Sequence, residues 1–228
     1  QWAGIGLYPE MNLDYGIDEL AVHDPLTPAA YFESWPVPDA GQLAGGANLF
    51  GPAVNSVALA RRYGARYVLV QTAGQIPVPS GMHRVATIEG PTKAKLTLAS
   101  VPGSARFTFP AGRARVLSSS HPGDATYEVR VHVPRGAAQQ LILHITATPG
   151  WHVAADGRAL AVHVVDGTFL SVSVPAGTRT VVATYDPALL ELGYALALAA
   201  LAVLALLVVA ESGPVSRRIR ARMSRRAA

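Results

Sequence analysis

Cysteine is absent from all 228 residues of the sequence. Disulfide bonds and thiolate metal sites are therefore excluded, although this absence alone does not assign a cellular compartment. Acidic residues are absent from the last seventeen positions, which hold six arginines, and the remaining sequence carries 13 basic against 15 acidic residues. Because the body of the chain is nearly neutral, a basic nucleic-acid-binding face is not expected, and we predict no nucleic-acid partner.

Charge is also missing from Leu192 to Ala210, LGYALALAALAVLALLVVA. At about 1.5 Å per residue, a helix of this length would reach roughly 28 Å, close to the thickness of a bilayer's hydrocarbon core. A surface helix of a globular protein normally has a polar face, and this segment has none. The pattern predicts a transmembrane helix.

The six arginines follow this segment, after Gly213 and Pro214. By the positive-inside rule, their position predicts a cytoplasmic C-terminus, with the bulk of the chain outside the cytoplasm. Membrane lipid is then an expected partner, because arginines close to the surface interact with anionic headgroups at about 1 kcal/mol each.

No signal peptide is visible at the start of the sequence, where Gln1 is not followed by a charged segment and an apolar stretch. A body outside the cytoplasm must be exported. We therefore expect either earlier membrane spans in a longer polypeptide or a signal peptide that has been removed.

Residues 1–82 have the pattern of a small αβ region. Proline at a helix start predicts a short helix at Pro28–Trp35. A second helix is predicted at Pro52–Tyr63, ended by Gly64, and it leads into a β-branched strand at Arg66–Val70.

Residues 83–187 have the pattern of an antiparallel β-sandwich. Apolar and polar residues alternate from Tyr127 to Val133, as in a half-buried strand, and the more continuously apolar Leu141–Thr148 predicts a central strand. Asp156-Gly157 and Asp166-Gly167 suit two-residue hairpin turns, because glycine tolerates the positive φ of such turns. The strands predicted around these turns form an antiparallel meander: Trp151–Ala155, Arg158–Val165 and Thr168–Val174.

The predicted fold class is therefore α+β. The predicted order is an αβ region at 1–82, a β-sandwich at 83–187, a transmembrane helix at 188–211 and a basic cytoplasmic tail at 212–228.

The sequence contains no motif that would indicate catalysis by these residues alone. The seven histidines are scattered, and no pair has the spacing that places two metal ligands on one helix face. His132 and His144 could meet across adjacent strands, although unpaired surface histidines are the more common arrangement and the interpretation that we favour. The densest acidic patch, Asp14 to Asp24, could supply an acid/base pair, but a run of solvated loop acids is the more common structure. We predict no catalytic residue and no metal ligand here.

Several segments resemble YfhO-like bacterial membrane proteins. In the C-terminal half these are PGWHVAADG from Pro149, VPAG from Val174, and YDP from Tyr185 followed by Gly193 at the start of an apolar helix. Upstream, YGIDELAVHDPLTPAAYF and YGARYVLV are similar to extracytoplasmic segments of that family and of related GT-C glycosyltransferases. Two departures, Ala154-Ala155 before the Asp-Gly turn and Asp186 inside the last motif, weaken any claim of identical specificity.

The resemblance implies a polytopic enzyme of the bacterial cell membrane that transfers a sugar from a polyprenyl-phosphate donor to an envelope glycan. In such enzymes the catalytic acidic residue, often with a divalent metal, lies in the first extracytoplasmic loop, which would precede Gln1. The implied partners are upstream transmembrane helices of the same protein, the polyprenyl-phosphate sugar and the envelope glycan. No cofactor is expected within these residues.

Two groups of side chains are candidates for acceptor or glycan contact. Trp151 could stack on a sugar while Asp156 accepts hydrogen bonds from its hydroxyls; alternatively, Trp151 packs in the sandwich and Asp156 only shapes the turn. The segment with His23, Asp24 and Tyr31 is the better candidate, because the resemblance places it nearer the membrane core.

Three hypotheses therefore remain. The chain is the C-terminal extracytoplasmic part of a glycosyltransferase-like membrane protein, or a non-catalytic membrane-anchored sandwich that binds envelope glycan or protein, or a purely structural ectodomain beside other membrane helices.

Overall fold

Two short helices begin the described part of the computed structural model, which covers residues 20, 29–35, 54–71, 77–89, 95–123 and 125–212. Helix α1 is Ala29–Ser34 and helix α2 is Val57–Arg62. The chain divides into a first unit, Gln1–Tyr185, and a second unit, Asp186–Ala228.

Helix α2 begins later than the sequence predicts. Its N-cap is Ser56, whose backbone is extended and whose hydroxyl accepts a hydrogen bond from the Leu59 N–H at 3.2 Å. A capped start at Val57 replaces the predicted start at Pro52, because this serine satisfies a free N–H of the first turn. The predicted stop is confirmed, since Gly64 follows the helix with φ +67°.

A three-stranded antiparallel sheet follows α2. Its strands are β1 at Tyr67–Gln71, β2 at His83–Glu89 and β3 at Lys95–Ser100, in the order β1-β3-β2. Strand β1 lies one residue later than predicted, and the αβ character of this region is confirmed.

Two further antiparallel sheets form the sandwich. The four-stranded sheet has the order β10-β11-β7-β4, and its strands are Val162–Val165, Phe169–Val174, Gln139–Thr146 and Phe107–Thr108. The five-stranded sheet has the order β5-β6-β12-β8-β9, and its strands are Arg115–Gly123, Thr126–His132, Thr180–Tyr185, Trp151–Ala155 and Arg158–Leu160.

An aliphatic core fills the space between these two sheets. Tyr127, Val129 and Val131 of β6 are buried in it while Arg130 and His132 are exposed, which confirms the predicted alternation. The opposite sheet contributes residues that are almost fully buried, among them Leu141, Leu143, Leu170, Val172 and Val174. Strand β7 lies inside its sheet, as predicted for the apolar run that starts at Leu141.

Asp156-Gly157 forms the predicted two-residue hairpin turn, whereas the turn at Asp166-Gly167 includes Thr168 as a third residue, because Val165 pairs with Phe169. Asp156 and Asp166 have φ of 45° and 52°, and the glycine after each also has positive φ, as a tight turn between twisted strands requires. The first turn joins β8 to β9, and the second joins β10 to β11.

The predicted meander is wrong, because the span Arg158–Val165 is divided between the two sheets. Leu160 in β9 pairs with Val153 in β8, whereas Val162 in β10 pairs with Val172 in β11. The chain crosses at Ala161, a small exposed residue, as strands do at the corners of sandwiches. Strand β12 then pairs with β6 and β8 in the five-stranded sheet.

The second unit contains helix α3, Leu190–Ser212. Its segment Leu190–Val209 is long and apolar enough to cross a membrane and has no buried residues, so the helix predicted at Leu192–Ala210 is confirmed and extended at both ends. The basic tail lies outside the described residues. The predicted region boundaries at 82/83, 187/188 and 211/212 stay predictions.

Candidate functional site

The described helices of the first unit pack on the four-stranded sheet through an aromatic cluster. We call Tyr31, Trp35, Tyr63 and Phe169 the junction cluster. Trp35 stacks on Tyr63 with ring centroids 3.5 Å apart, and Phe169 meets Tyr63 edge-on at 5.4 Å. Stacked and edge-on aromatic pairs add to the stabilisation that burial provides.

Tyr31, one of the predicted acceptor contacts, lies inside this cluster with 7% of its surface exposed. Its hydroxyl donates to the Leu20 carbonyl at 2.7 Å, and its ring contacts Trp35 and Tyr63 edge-on. Burial raises the pKa of the Tyr31 phenol well above its ordinary value, so the group stays protonated as a hydrogen-bond donor. His23 and Asp24, predicted beside it, lie outside the described residues.

Tyr63 links the two helices by its hydroxyl as well as its ring. Its oxygen lies 2.7 Å from the Ser34 hydroxyl of α1. Burial raises the pKa of the Tyr63 phenol, and the bond to Ser34 partly offsets that rise.

His144 ties helix α2 to the sandwich. Its Nδ1 lies 2.7 Å from the Arg62 carbonyl at the end of α2, and its Nε2 lies 2.8 Å from Thr108 Oγ1 in β4. A carbonyl only accepts, so Nδ1 carries the proton. Nε2 then accepts from the hydroxyl in the neutral ring. Burial lowers the pKa of His144, which favours this neutral form.

The suggested pairing of His132 with His144 across adjacent strands is wrong. His132 lies in β6 of the five-stranded sheet, and His144 lies in β7 of the four-stranded sheet. Among the described residues, no group of three or more His, Asp or Glu side chains is placed to hold a metal ion.

Trp151 lies half-buried at the edge of the aliphatic core. Its ring centroid is 5.2 Å from that of Tyr185, its cross-strand partner, and 6.1 Å from that of Tyr127. Tyr127 also stacks on His121 at 4.3 Å and accepts a hydrogen bond from Arg106 at 2.6 Å. These contacts account for Trp151 through packing; its contact with a sugar stays a prediction.

Asp156 lies at the other end of β8 from Trp151, so the strand separates these two candidates. Its carboxylate accepts hydrogen bonds from the backbone N–H of Thr180 at 2.9 Å and of Arg179 at 3.2 Å. Its own N–H donates to the Thr180 carbonyl at 2.9 Å. The turn therefore uses the side chain to fix the start of β12.

The sequence did not predict a cleft of about 290 Å³ that lies on the four-stranded sheet and is lined by polar and aliphatic residues. Its polar lining residues are Gln140, His163, Ser171 and Ser173. The segment FLSVSV indicates that its two serines lie on the face opposite the core, because they alternate with apolar residues. It does not indicate which residues of other strands lie beside these serines, because that depends on strand pairing.

The described structure combines a β-sandwich with one helix that is long and apolar enough to cross a membrane. Residues 118–197 match the family model of the bacterial membrane protein YfhO, and over these residues the resemblance is confirmed. No curated protein and no solved structure gives a significant match to the chain.

Proposed function

We propose that this chain is the C-terminal extracytoplasmic part of a polytopic, glycosyltransferase-like membrane protein. That protein would transfer a sugar from a polyprenyl-phosphate donor to a cell-envelope glycan. The observation that carries the proposal is the extent of the family match, which begins in β5, covers most of the sandwich and ends within α3. The match therefore joins most of the sandwich and the first turns of the apolar helix in one continuous segment of the chain.

The proposed role of the sandwich is to shape the acceptor side, without carrying the catalytic group. The predicted candidates that the structure describes already have structural partners. Tyr31 is buried in the junction cluster, and the Asp156 carboxylate holds the start of β12. The acidic residue that such chemistry needs is expected in a different loop of the same protein.

Inactivating the gene in its native bacterium tests the transfer reaction. We expect one glycosyl substituent to disappear from a purified envelope polymer, measured by mass spectrometry and NMR, while the polyprenyl-phosphate sugar accumulates. Re-expression of the wild-type gene should restore the substituent. Unchanged envelope sugars would contradict the proposal.

The proposed orientation places the first unit outside the cytoplasm and the arginine-rich tail inside. It is supported by the concentration of six arginines in the last seventeen residues. Single cysteines placed in this cysteine-free part of the protein report its topology, and the unsubstituted protein shows the background labelling. A membrane-impermeant maleimide should label Ser118→Cys, at an exposed position in β5, in intact cells. It should label Ser224→Cys only after permeabilisation, and the reverse pattern would contradict the orientation.

A second candidate is a non-catalytic, membrane-anchored module that binds envelope glycan or protein. The observation in its favour is that the described residues contain one helix able to cross a membrane, directly after the sandwich. The coding sequence upstream of Gln1 separates the candidates. Several further apolar spans with an acidic residue in the first outer loop would support the transferase, and a signal peptide alone would support the module.

A further inference from the structure

The cleft on the four-stranded sheet is built by three neighbouring strands. Alternation in β11 sends Leu170, Val172 and Val174 into the aliphatic core. Ser171 and Ser173 therefore belong to the opposite face of the same strand.

Strand register brings the other polar groups beside these serines. His163 of β10 pairs directly with Ser171, and Gln140 of β7 pairs directly with Ser173. Residues two apart on a strand are about 7 Å apart, so two polar pairs are held side by side. Ser171 has 3% of its surface exposed and lines the inner part of the cleft, whereas Gln140 and His163 are exposed at its rim.

We infer that this cleft binds a neutral, hydroxyl-rich ligand, namely a sugar unit of an uncharged envelope oligosaccharide. The inference rests on the proposed function and assigns its glycan contact to Gln140, His163, Ser171 and Ser173.

The chemistry of the lining selects this ligand class. Amide, imidazole and hydroxyl groups together offer both donors and acceptors, which matches a sugar hydroxyl that both donates and accepts. Among the described residues, the lining includes no Asp, Glu, Lys or Arg, so these residues offer no permanent cation to a phosphate or carboxylate.

The apolar lining and the size agree with this assignment. Val165 lies on the same strand face as His163 and provides aliphatic surface beside the polar groups, as in small-molecule sites, where a few polar groups fix a ligand on apolar walls. At about 290 Å³, the cleft lies at the lower limit of such sites and fits one or a few sugar units.

The other sandwich candidates offer less to a sugar. The Asp156 carboxylate already accepts backbone hydrogen bonds, and Trp151 packs against Tyr127 and Tyr185. They also lie at opposite ends of β8, whereas the four cleft residues converge on one surface.

The full chain in lipid nanodiscs tests the inference by saturation-transfer NMR and titration. The probes are uncharged trisaccharides of glucose, galactose, mannose and N-acetylglucosamine, with a glycerol-phosphate trimer as the charged comparison. We expect at least one uncharged trisaccharide to bind and the charged trimer not to bind. Gln140→Ala and His163→Ala should each weaken binding about fivefold, the loss expected for one hydrogen bond.

His152→Ala is the matched control, because His152 is an equally exposed histidine on the other sheet of the sandwich. It should leave binding unchanged, and equal thermal melting of all variants confirms that the fold is retained. Binding that survives both cleft variants but is lost in Trp151→Ala would overturn the location while leaving glycan binding intact.

Binding of the glycerol-phosphate trimer in place of the sugars would overturn the ligand class, and no binding by any probe would overturn the inference as a whole. The gene-inactivation experiment tests the transferase proposal and not the cleft. Unchanged envelope sugars together with cleft-dependent binding would contradict the transferase and leave the cleft assignment standing.

Discussion

The described part of the first unit contains two apolar clusters that are assembled in different ways. The aliphatic core lies between two sheets and is made mostly of Val, Leu and Ala from strands between residues 107 and 183. The junction cluster joins Tyr31, Trp35 and Tyr63 to Phe169, which is more than one hundred residues later. The core follows from local alternation, whereas the junction cluster depends on how distant segments are brought together.

Truncation in the aliphatic core should have the largest effect. Leu143 is fully buried between the sheets, so Leu143→Ala should lower the free energy of unfolding by about 2–5 kcal/mol through lost burial and a cavity. Chemical denaturation of the chain in detergent micelles, followed by tryptophan fluorescence, measures the loss. Leu117→Ala is the control, because Leu117 is 64% exposed and its truncation should change little. Equal losses would mean that the core does not hold the sandwich together.

Gly64 tests the close approach of α2 to the sandwich. With φ +67°, any side chain here is strained by about 1–3 kcal/mol. A Cβ would also lie 3.0 Å from the Ala105 carbonyl oxygen and from His144 Cβ. Gly64→Ala should therefore unfold at lower denaturant than Gly157→Ala, where φ is +81° but no atom lies within 4 Å. If the two variants were equally stable, the tight contact at the junction would be unimportant.

The two Asp-Gly turns sharpen the comparison within the sandwich. Asp156→Ala removes the acceptor of the Thr180 and Arg179 N–H groups and should cost about 1 kcal/mol more than Asp166→Ala. Both substitutions place alanine at a position of similar positive φ, so the backbone contribution largely cancels. Denaturation midpoints measure the difference. A larger loss at Asp166 would show that the second turn contributes more than its local geometry indicates.

Much of the sandwich and the membrane helix could be predicted from the sequence, because both are local patterns. The period of two from Tyr127 to Val133 fixes which side chains enter the core, and each Asp-Gly pair marks a tight turn. The uniform apolarity of Leu192–Ala210 likewise needs no partner to be recognised.

The features that the sequence did not predict depend on contacts between distant segments of the chain. No residue near Ala161 indicates that the chain crosses there from one sheet to the other. The crossing depends on which strands pair with β9 and which pair with β10. The cleft escaped prediction for the same reason, since His163 and Gln140 reach the serines of β11 only through register. Tyr31 was predicted as an acceptor contact from its place in the chain; the fold encloses it in the junction cluster through packing with distant residues, and the acceptor contact stays a prediction.

The smallest expected effect is a pH dependence at His144, between the two clusters. Burial lowers its pKa in the folded chain below the ordinary value near 6.5, while Asp166 raises it and Arg106 lowers it by their charges. Because the folded pKa is the lower one, the stability that His144 contributes is complete above about pH 6.5 and is lost as the pH falls through the folded pKa.

Denaturation at about pH 7.5 and about pH 5.5 measures this loss, and the two values bracket the ordinary pKa of histidine. His144→Asn should show a smaller decrease in unfolding free energy between them than the wild type, even if it is less stable at both. His163→Asn, at an exposed histidine of the cleft, should keep the wild-type decrease. If His144→Asn showed the same decrease in unfolding free energy as the wild type, the acid sensitivity would arise at other groups. The bond from Nδ1 to the Arg62 carbonyl would then hold α2 equally well when the His144 ring is charged.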